Sequence, residues 1–398
     1  MVIRFKSPLR HIREEESRLG ARPVNGDGDP YIFIRKAACN FGWDWGPKIA
    51  TSGIWRPIRL EGWSGARIAG VRPLVHRQEG LGWQVRVAID LAWSPAADRS
   101  IRLSAGLGRG AARVPPRDGL AAADITPGQS TARLEFAVAE PRIWWPRGLG
   151  EANLHDLSIF EGESGIAGEP PAWQGRIGFR EVRIARGIDP DGSAFAVEVN
   201  GKQVFCRGAN WIPDGLFPTG MTRERYRKRL RQAADANMNM LRVWGGGFYE
   251  SDDFYDLCDE LGILVWQDFM FACAMYPEEA PYPALVEAEA RHQITRLSSH
   301  PSIALWCGGN ECVWAHDSWG SAPGETATWK QRLGDRTWGR GDYFDLLPRL
   351  VGELDPTRPY WPNSPWSGSD PVPPNDANHG DRHTWDAWGD GYRAIVPR

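Results

Sequence analysis

The chain has 398 residues, enough for roughly two or three domains with a substantial hydrophobic core. Its 47 basic and 50 acidic side chains leave a formal net charge of -3, so no electrostatic attraction favours nucleic acid or an anionic membrane as a partner. No apolar run reaches the roughly 18 residues that an ordinary transmembrane helix needs.

Residues 1–63 are predicted to contain short β segments, at 31–35 and 54–60. The loop between them, residues 40–47, reads Asn-Phe-Gly-Trp-Asp-Trp-Gly-Pro. So few strands in about 60 residues are less than a complete β domain. We therefore expect the first domain to be partial, with the true N-terminus missing. As it stands, the charged start, residues 1–20, lacks the apolar segment of a signal peptide, so we expect a cytoplasmic protein.

Residues 64–185 are predicted to form a second β domain. Apolar and polar residues alternate over 83–91 and again over 131–138, as in half-buried antiparallel strands. Residues 154–160 add another apolar strand, and stretches rich in Gly, Pro and Ala separate the strands. This pattern predicts a β-sandwich of immunoglobulin type.

Residues 186–398 change character, because predicted strands now alternate with predicted helices. This spacing indicates parallel βα units. Roughly six strands are predicted, fewer than a closed (β/α)8 barrel requires, so we expect an incomplete barrel whose C-terminal strands are missing. The predicted strands are 203–209, 240–244, 263–268, 302–306 and 360–363, with a short one near 378–383; the helices are 222–237, with Thr222 as N-cap, 252–261, with Gly262 as C-cap, 284–299 and 343–354.

The most informative stretch is residues 302–311, which read Ser-Ile-Ala-Leu-Trp-Cys-Gly-Gly-Asn-Glu. The apolar run predicts a strand that is buried on both faces, and the two glycines permit a tight turn where it ends. Asn310 and Glu311 would then emerge at the carboxyl end of a strand, where an α/β barrel holds its catalytic residues. An Asn-Glu pair beside Trp306 is typical of the general acid/base of a glycosidase; the alternative is a turn with a solvated Glu.

Other strand ends in this region are also polar or aromatic. Arg242 to Glu250 and Trp266 to Pro277 would face the same rim of the barrel as Glu311. Asp268 is either a substrate contact, a helix cap or the ion-pair partner of Arg207 or Arg242. The remaining titratable residues have simpler interpretations: Glu250 and Asp252 as capping or surface residues, His300 as a structural hydrogen-bonding residue, and His379, Asp381 and His383 as weak evidence for a metal site.

Two residue types support these interpretations. Tryptophan is abundant, with 21 in the chain, and its frequent loop placement favours flat walls against which sugar rings stack. The six cysteines form no Cys-x-x-Cys pair, which indicates buried thiols and neither a disulfide framework nor a zinc site. We expect no metal or organic cofactor. The loop tryptophans are Trp43, Trp45, Trp244, Trp319, Trp385 and Trp388, and the cysteines are Cys39, Cys206, Cys258, Cys273, Cys307 and Cys312.

The motifs at residues 41–47, 241–277 and 300–311 closely resemble those of β-mannosidases of glycoside hydrolase family 2, and the resemblance runs to about Trp388. It implies a jelly-roll sugar-binding-like domain at 1–63, an immunoglobulin-like sandwich at 64–185 and a (β/α)8 catalytic barrel from 186 to 398, the first and last of them incomplete. It also implies a retaining exo-β-mannosidase that acts on a β-mannoside oligosaccharide or glycan.

The resemblance assigns roles to single residues. Glu311 corresponds to the acid/base, and Asn310 to the residue that hydrogen-bonds the sugar 2-hydroxyl. Trp244 and Trp319 match aromatic walls of the mannose subsite, and Trp385 matches a further aromatic. Two more sets complete the candidate substrate-binding residues: Asp44 and Trp45, in a loop that reaches over the barrel mouth, and Arg242 at a strand end.

The resemblance also implies a second carboxylate, the nucleophile, at the end of the seventh barrel strand. Asp386 and Asp390 lie too early in the chain and lack a following strand pattern. We therefore expect the nucleophile to follow Arg398 and this chain alone to be inactive. Two alternatives remain open: another family 2 β-glycosidase, acting on galactosides, glucuronides or glucosaminides, and a carbohydrate-binding remnant without catalysis.

Overall fold

The computed structural model describes residues 2–26, 29–108, 121–162, 170–215, 217–320 and 326–385. Trp388, Asp386 and Asp390 lie outside the described residues. β-sheets with interspersed helices make up the described chain, as predicted for a multidomain protein of β and α/β type. None of the helices in the described ranges combines the length and the apolar character needed to cross a membrane.

The first region differs from its prediction, because its main element is a helix. Helix α1, Pro8–Leu19, begins at Ser7, whose hydroxyl accepts from the amide of Arg10, and it buries Ile12. The strand predicted at 31–35 is wrong: Tyr31–Phe33 form a buried 3-10 turn. The strand predicted at 54–60 is also wrong, because this exposed segment, which contains Pro57, has no hydrogen-bonded partner strand in the described chain.

One β-hairpin occurs in the described part of residues 2–63. Strands β1, Phe41–Trp43, and β2, Gly46–Lys48, pair antiparallel and carry Asp44 and Trp45 at their turn. The jelly-roll assignment of this region stays a prediction.

Two antiparallel sheets follow, and their inner faces share one hydrophobic core. The alternation predicted at 83–91 and 131–138 is confirmed, because Val85, Val87 and Ile89 point inward and are fully buried. Leu157 and Ile159 from the opposite sheet complete the core. The first sheet has the order β3 (Ala66–Gln78), β4 (Gly82–Trp93), β7 (Thr131–Val138), and the second has the order β6 (Ala122–Ile125), β5 (Ile101–Gly108), β8 (His155–Glu161), β9 (Trp173–Ile177).

Smaller antiparallel elements lead into the third region. The prediction of one strand at 203–209 is wrong, because two strands of different sheets share these residues. The first of these two strands ends at Val204, and the second begins at Gly208 and belongs to the parallel sheet of the third region. An added Cβ at Gly208 would lie 1.9 Å from the carbonyl oxygen of Met240, so this close approach of the backbone requires glycine. The elements are β10 (Val182–Ala185), β13 (Ala196–Val199) and β14 (Lys202–Val204) in one sheet, and β11 (Ile188–Asp189) with β12 (Gly192–Ser193) in another.

A five-stranded parallel sheet carries the third region, in the sequential order β15 to β19. Helix α2 has Thr222 as its N-cap and helix α3 ends at Gly262 in the left-handed conformation, both as predicted. No strand is described at 378–383. The strands are β15 (Gly208–Trp211), β16 (Met240–Val243), β17 (Leu264–Asp268), β18 (Ile303–Cys307) and β19 (Tyr360–Trp361), and the helices are α2 (Arg223–Asp235), α3 (Asp252–Leu261), α4 (Tyr282–Leu297), α5 (Cys312–Ser318), α6 (Trp329–Leu333) and α7 (Leu347–Leu354), the last preceded by a π turn at Asp342–Leu346.

The N-terminal segment packs against the parallel-sheet half of the molecule. Ile12, Tyr31 and Phe33 share one hydrophobic core with the residues of β16, β17 and β18. The hydroxyl of Tyr282 on α4 donates to the carbonyl of Phe33 over 3.1 Å. This packing brings the β1–β2 hairpin to the carboxyl ends of the parallel strands.

Candidate active site

A cavity of about 1560 Å³ lies over the carboxyl ends of the parallel strands. The loops that follow β15, β16, β17 and β18 all contribute to its walls, as the strand-end pattern predicted. All eight candidate residues line it: Glu311, Asn310, Trp244, Asp44, Trp45, Trp319, Trp385 and Arg242.

The backbone after β18 is fixed by close contacts with neighbouring loops. An added Cβ at Gly308 would lie 2.0 Å from the carbonyl oxygen of Pro362, so only glycine fits there. The Asn310 amide donates to the carbonyl of Phe271, and the Glu311 amide donates to the carbonyl of Ser364. Glu311 has a φ of 59°, a left-handed conformation that is uncommon outside glycine, and its side chain makes no capping hydrogen bond to α5. The site is therefore held by hydrogen bonds from both neighbouring strand ends.

The carboxylate of Glu311 is buried and accepts three hydrogen bonds from side chains. Oε1 accepts from Nδ1 of His383 at 2.5 Å and from Nε1 of Trp385 at 3.1 Å, and Oε2 accepts from the thiol of Cys273 at 3.2 Å. Burial acts to raise the pKa of Glu311, but the hydrogen bond and charge of His383, together with the hydrogen bonds from Trp385 and Cys273, leave the pKa below its ordinary value. Glu311 is thus ionised at neutral pH in this arrangement.

His383 connects Glu311 to a second carboxylate, that of Asp381. Its Nε2 lies 2.9 Å from the hydroxyl of Ser364 and 3.3 Å from Nη1 of Arg242. The Ser364 hydroxyl in turn donates to Oδ2 of Asp381 at 2.5 Å, and Nε1 of Trp361 donates to Oδ1 of Asp381. A chain of hydrogen bonds therefore runs from Asp381 to the Glu311 carboxylate.

Asn310 is oriented by a buried ion pair. Arg242 donates to both oxygens of Asp268, from Nη2 at 2.8 Å and from Nε at 3.2 Å, and Nη2 also donates to Oδ1 of Asn310 at 3.0 Å. The Asp268 side chain is fully buried, and it also accepts from the amide of Gly245 and from Nε1 of Trp266. Because a guanidinium group can only donate, Oδ1 of Asn310 must face Arg242, and Nδ2 is directed to the sulfur of Cys273 and the cavity.

The ion pair decides between the alternative roles of Asp268 and modifies the prediction that Arg242 binds substrate. Asp268 is the ion-pair partner of Arg242. Arg242 lines the cavity but has an exposed fraction of only 8 %, so its main contacts are with Asp268 and Asn310.

The loop after β17 places Cys273 between Asn310 and Glu311. Cys273 has a φ of 48°, and its amide donates to the carbonyl of Asn310. The hydroxyl of Tyr31, from the N-terminal segment, lies 3.0 Å from the carbonyl oxygens of both Ala272 and Cys273. Burial raises the pKa of the Cys273 thiol, which remains a neutral hydrogen-bond donor. The sequence predicts Cys273 only to be a buried thiol, and its contact with Glu311 could not be predicted from the cysteine spacing.

The aromatic walls contain both predicted and unpredicted tryptophans. Trp244 is buried, and its ring packs edge-on against Trp43 at 4.8 Å and against Trp45 at 5.9 Å between centroids. Asp44 is exposed at the turn of the hairpin, as a group that reaches over the opening. Trp314, which the sequence analysis did not single out, also lines the cavity and packs against Trp319 at 5.8 Å.

Several simpler predictions have clear outcomes. Glu250 is not a capping or surface residue: it is 1 % exposed and accepts hydrogen bonds from Trp211 and Tyr226. His300 is a structural hydrogen-bonding residue as predicted, with its Nδ1 2.7 Å from Asp259. In the described residues all six cysteines are free thiols, five of them buried.

The weak evidence for a metal site at 379–383 finds no support in the described geometry. His379 pairs with Asp376, and His383 pairs with Glu311. The one potential metal-ligating group found in the described ranges consists of Asp256, Asp259 and His300, which is not part of this cavity.

Comparisons with known proteins show what the chain is similar to. The family model described as glycosyl hydrolase 2 galactose-binding domain-like matches residues 1–56. Over 416 aligned residues the chain is 33% identical to the β-mannosidase of Capra hircus, covering 98% of this chain and 45% of that protein. It is 35% identical to β-mannosidase B of Aspergillus flavus, covering 95% of this chain and 44% of that protein. Over nearly its whole length the chain is similar to these β-mannosidases, and its residues 1–56 match a glycosyl hydrolase 2 domain.

A solved family 2 structure extends the match to the fold. The crystal structure of the β-D-mannosidase from Dictyoglomus thermophilum superposes with a TM-score of 0.84 at 38% identity, covering 96% of this chain and 45% of that one. The chain therefore spans less than half the length of the family 2 relatives it matches.

Proposed function

We propose that the chain is part of a retaining exo-β-mannosidase, which removes terminal non-reducing β-mannose residues, and that Glu311 is its acid/base. The observation that carries this proposal is the Glu311 carboxylate itself. It lies buried at a strand end, held by His383, Trp385 and Cys273, inside a cavity lined with tryptophan. The names of the family 2 relatives support the mannoside as substrate.

In this mechanism Glu311 protonates the departing glycosidic oxygen and then deprotonates the attacking water. The lowered pKa of Glu311 suits the second of these steps, because the carboxylate must then accept a proton. The first step needs a protonated Glu311. A second carboxylate within about 5 Å would raise its pKa by like-charge repulsion until the glycosyl-enzyme bond neutralises that charge.

No nucleophile is assigned among the described residues that line the cavity. Among the described residues that line the cavity, the carboxylates other than Glu311 are Asp44 and Asp381. Asp381 already accepts from Trp361 and Ser364, and Asp44 belongs to the hairpin at the opening. Neither is placed as a nucleophile, so we expect the 398-residue chain to bind the sugar without hydrolysing its glycosides.

Recognition of mannose is assigned to the two walls of the cavity. The Nδ2 of Asn310 faces the cavity because Arg242 holds Oδ1, so it can donate to the sugar 2-hydroxyl. Trp244 and Trp319 offer apolar faces for the ring, and the exposed Asp44 and Trp45 can contact hydroxyls from above.

The finer fold assignment is part of the same proposal. The two-sheet sandwich supports an immunoglobulin-like domain at 64–185. The sequential parallel strands β15 to β19, with the site at their carboxyl ends, support part of a (β/α)8 barrel at 186–398. The partial jelly roll at 1–63 has its support in the family model matched by residues 1–56.

The test is a binding and hydrolysis panel on the 398-residue chain. Calorimetry with mannose, galactose, glucuronate and glucosamine should give the highest affinity for mannose, and aryl β-mannosides should not be hydrolysed. Asn310→Ala should lower the affinity for mannose about tenfold and leave the affinity for 2-deoxyglucose unchanged, because the lost contact is to the 2-hydroxyl.

A chimera tests the catalytic half of the proposal. Joining the chain to the remaining C-terminal part of the Dictyoglomus thermophilum enzyme should give hydrolysis of aryl β-mannosides, and Glu311→Ala in that chimera should abolish turnover of substrates with poor leaving groups. A preference for galactose in the binding panel, or hydrolysis by the unextended chain that survives Glu311→Ala, would contradict the proposal.

A further inference from the structure

We propose that Trp314 is a specificity-determining residue of this site: its indole face is a stacking surface for the sugar that departs from the mannoside. The inference rests on the proposed function, because it assumes that Glu311 is the acid/base. It adds a leaving-group subsite and the class of group that the subsite prefers, a pyranose ring.

The position of Trp314 follows from the short helix α5. Cys312, Val313 and Ala315 are buried and anchor this helix to the core, whereas Trp314 is only half-buried and lines the cavity. Glu311, the residue that precedes this helix, lines the same cavity. Trp314 and Glu311 therefore open onto one space.

The two edges of the Glu311 carboxylate face different surroundings. Oε2 faces Cys273, which contacts Asn310, the residue assigned to the mannose 2-hydroxyl. Oε1 faces His383 and Trp385. The mannose ring thus belongs at the Oε2 edge. Because the acid/base must reach the oxygen that joins the two sugars, the departing sugar belongs at the Oε1 edge.

Trp314 lies at that second edge. Its ring centroid is 6.5 Å from the ring of His383, which it meets at 81°, and 5.8 Å from the ring of Trp319, at 77°. Packing at near-right angles against both neighbours fixes the orientation of the indole ring, which lines the cavity and is only half-buried. A flat apolar face beside an acid/base suits the C–H face of a pyranose better than a small alkyl group.

The experiment compares mannose with β-linked mannobiose as ligands of the 398-residue chain. Trp314→Leu keeps apolar bulk on the helix but removes the flat face, and it should weaken mannobiose binding about tenfold while changing mannose binding less than twofold. Trp314→Phe should restore most of the mannobiose affinity. Trp338→Ala is the matched control, because Trp338 stacks on His316 at 4.1 Å outside the cavity and should change neither affinity.

The other possible results each support or contradict the stacking role of Trp314. An equal loss of affinity for both sugars would place Trp314 in the mannose subsite and overturn the proposal, and so would unchanged mannobiose binding in Trp314→Leu. If the wild-type chain prefers cellobiose and loses that preference in Trp314→Leu, the stacking role stands and the mannoside assignment fails. Absence of all sugar binding by the folded wild-type chain would overturn both.

Discussion

The antiparallel sandwich and the parallel-sheet half of the molecule bury different kinds of side chain. Among the described residues of 66–185, the buried polar or charged side chains are Gln84, Ser104, His155 and Arg180, none of them a carboxylate. The described residues of 186–385 bury six carboxylates. These are Glu250, Asp259, Asp268, Glu311, Asp342 and Asp355.

The two halves therefore differ in which interactions stabilise them. Apolar burial in the sandwich stabilises it in a manner that does not depend on pH. Each buried carboxylate opposes folding through desolvation unless a partner compensates it, as Arg358 does for Asp355 at 2.8 Å. The half that contains the site is therefore the half whose stability responds to pH and to loss of a single partner.

The largest expected effect comes from breaking the Arg242–Asp268 pair. Asp268→Asn removes the charge that compensates the buried guanidinium and turns an amide N–H towards it. We expect a loss of about 3–5 kcal/mol in the free energy of unfolding, measured by urea titration. Mannose affinity should fall as well, because Arg242 would no longer hold Oδ1 of Asn310 in place.

The control for this variant is Asp345→Asn, which removes an exposed carboxylate from the same half. It should change stability by less than about 0.5 kcal/mol. Equal stability losses in both variants would show that burial of Asp268 is not what makes it important.

The comparison also explains how much of the fold could be predicted. The sandwich strands follow from alternation, because one face of each is buried and the other is solvated. The start of α2 at Thr222 and the end of α3 at Gly262 could be predicted, because capping depends on residues that are neighbours in the sequence. The strand predicted in the N-terminal region was wrong because the structure there depends on distant contacts. Its apolar residues at 31–33 are buried by α4 and by the loop after β17, which are far away in the sequence. The Ser7-Pro8 start of α1 was a readable signal that was missed.

The site was predictable where a residue type implied its own chemistry. The Asn310-Glu311 pair and the loop tryptophans were found in this way, and every one of them that lies in the described residues lines the cavity. Cys273 and His383 were not predicted to contact Glu311, because a thiol and an imidazole occur in many other roles. Their contacts with the carboxylate also depend on distant loops: Cys273 is 38 positions from Glu311 in the sequence, and His383 is 72 positions away. The identity of a hydrogen-bond partner is a property of the tertiary structure.

Glu250 gives the next largest effect, as a dependence of stability on pH. Burial raises its pKa to about 7, although Tyr226 and Trp211 donate to it. Between pH 4.5, its ordinary value, and about 7, the folded state binds a proton that the unfolded state has released. Stability therefore falls as pH rises through this range, by about 3 kcal/mol in total.

Glu250→Gln should remove that part of the pH dependence, since an amide of the same shape does not titrate. The variant should gain stability relative to the wild type on going from pH 5 to pH 8, as measured by urea titration at both values. Burial also raises the pKa of Asp342 to about 7, so Asp342→Asn should likewise gain stability relative to the wild type between pH 5 and pH 8. A stability difference between wild type and Glu250→Gln that is the same at pH 5 and pH 8 would contradict the raised pKa.

A further effect concerns the pKa of Glu311. Burial alone would raise that pKa, and the hydrogen bond and charge of His383 hold it down. His383→Leu should therefore raise the pKa of Glu311, which NMR titration of ¹³C-labelled glutamate side chains would measure. Trp385→Phe, which removes only a neutral donor, should raise it less. A pKa that falls or stays constant in His383→Leu would mean that His383 does not act on Glu311.

The smallest expected effect tests the sandwich side of the comparison. Ile89 on β4 and Ile303 on β18 are both fully buried, so Ile→Val removes the same methylene group from each half. Each variant should lose about 1 kcal/mol in the free energy of unfolding. For Ile89→Val the loss should be the same at pH 5 and pH 8, with mannose affinity unchanged, because among the described residues no carboxylate and no cavity residue belongs to the sandwich core. If Ile89→Val lowers mannose affinity as much as Ile303→Val does, then the core of the sandwich is coupled to the site, and the division between the two halves does not extend to function.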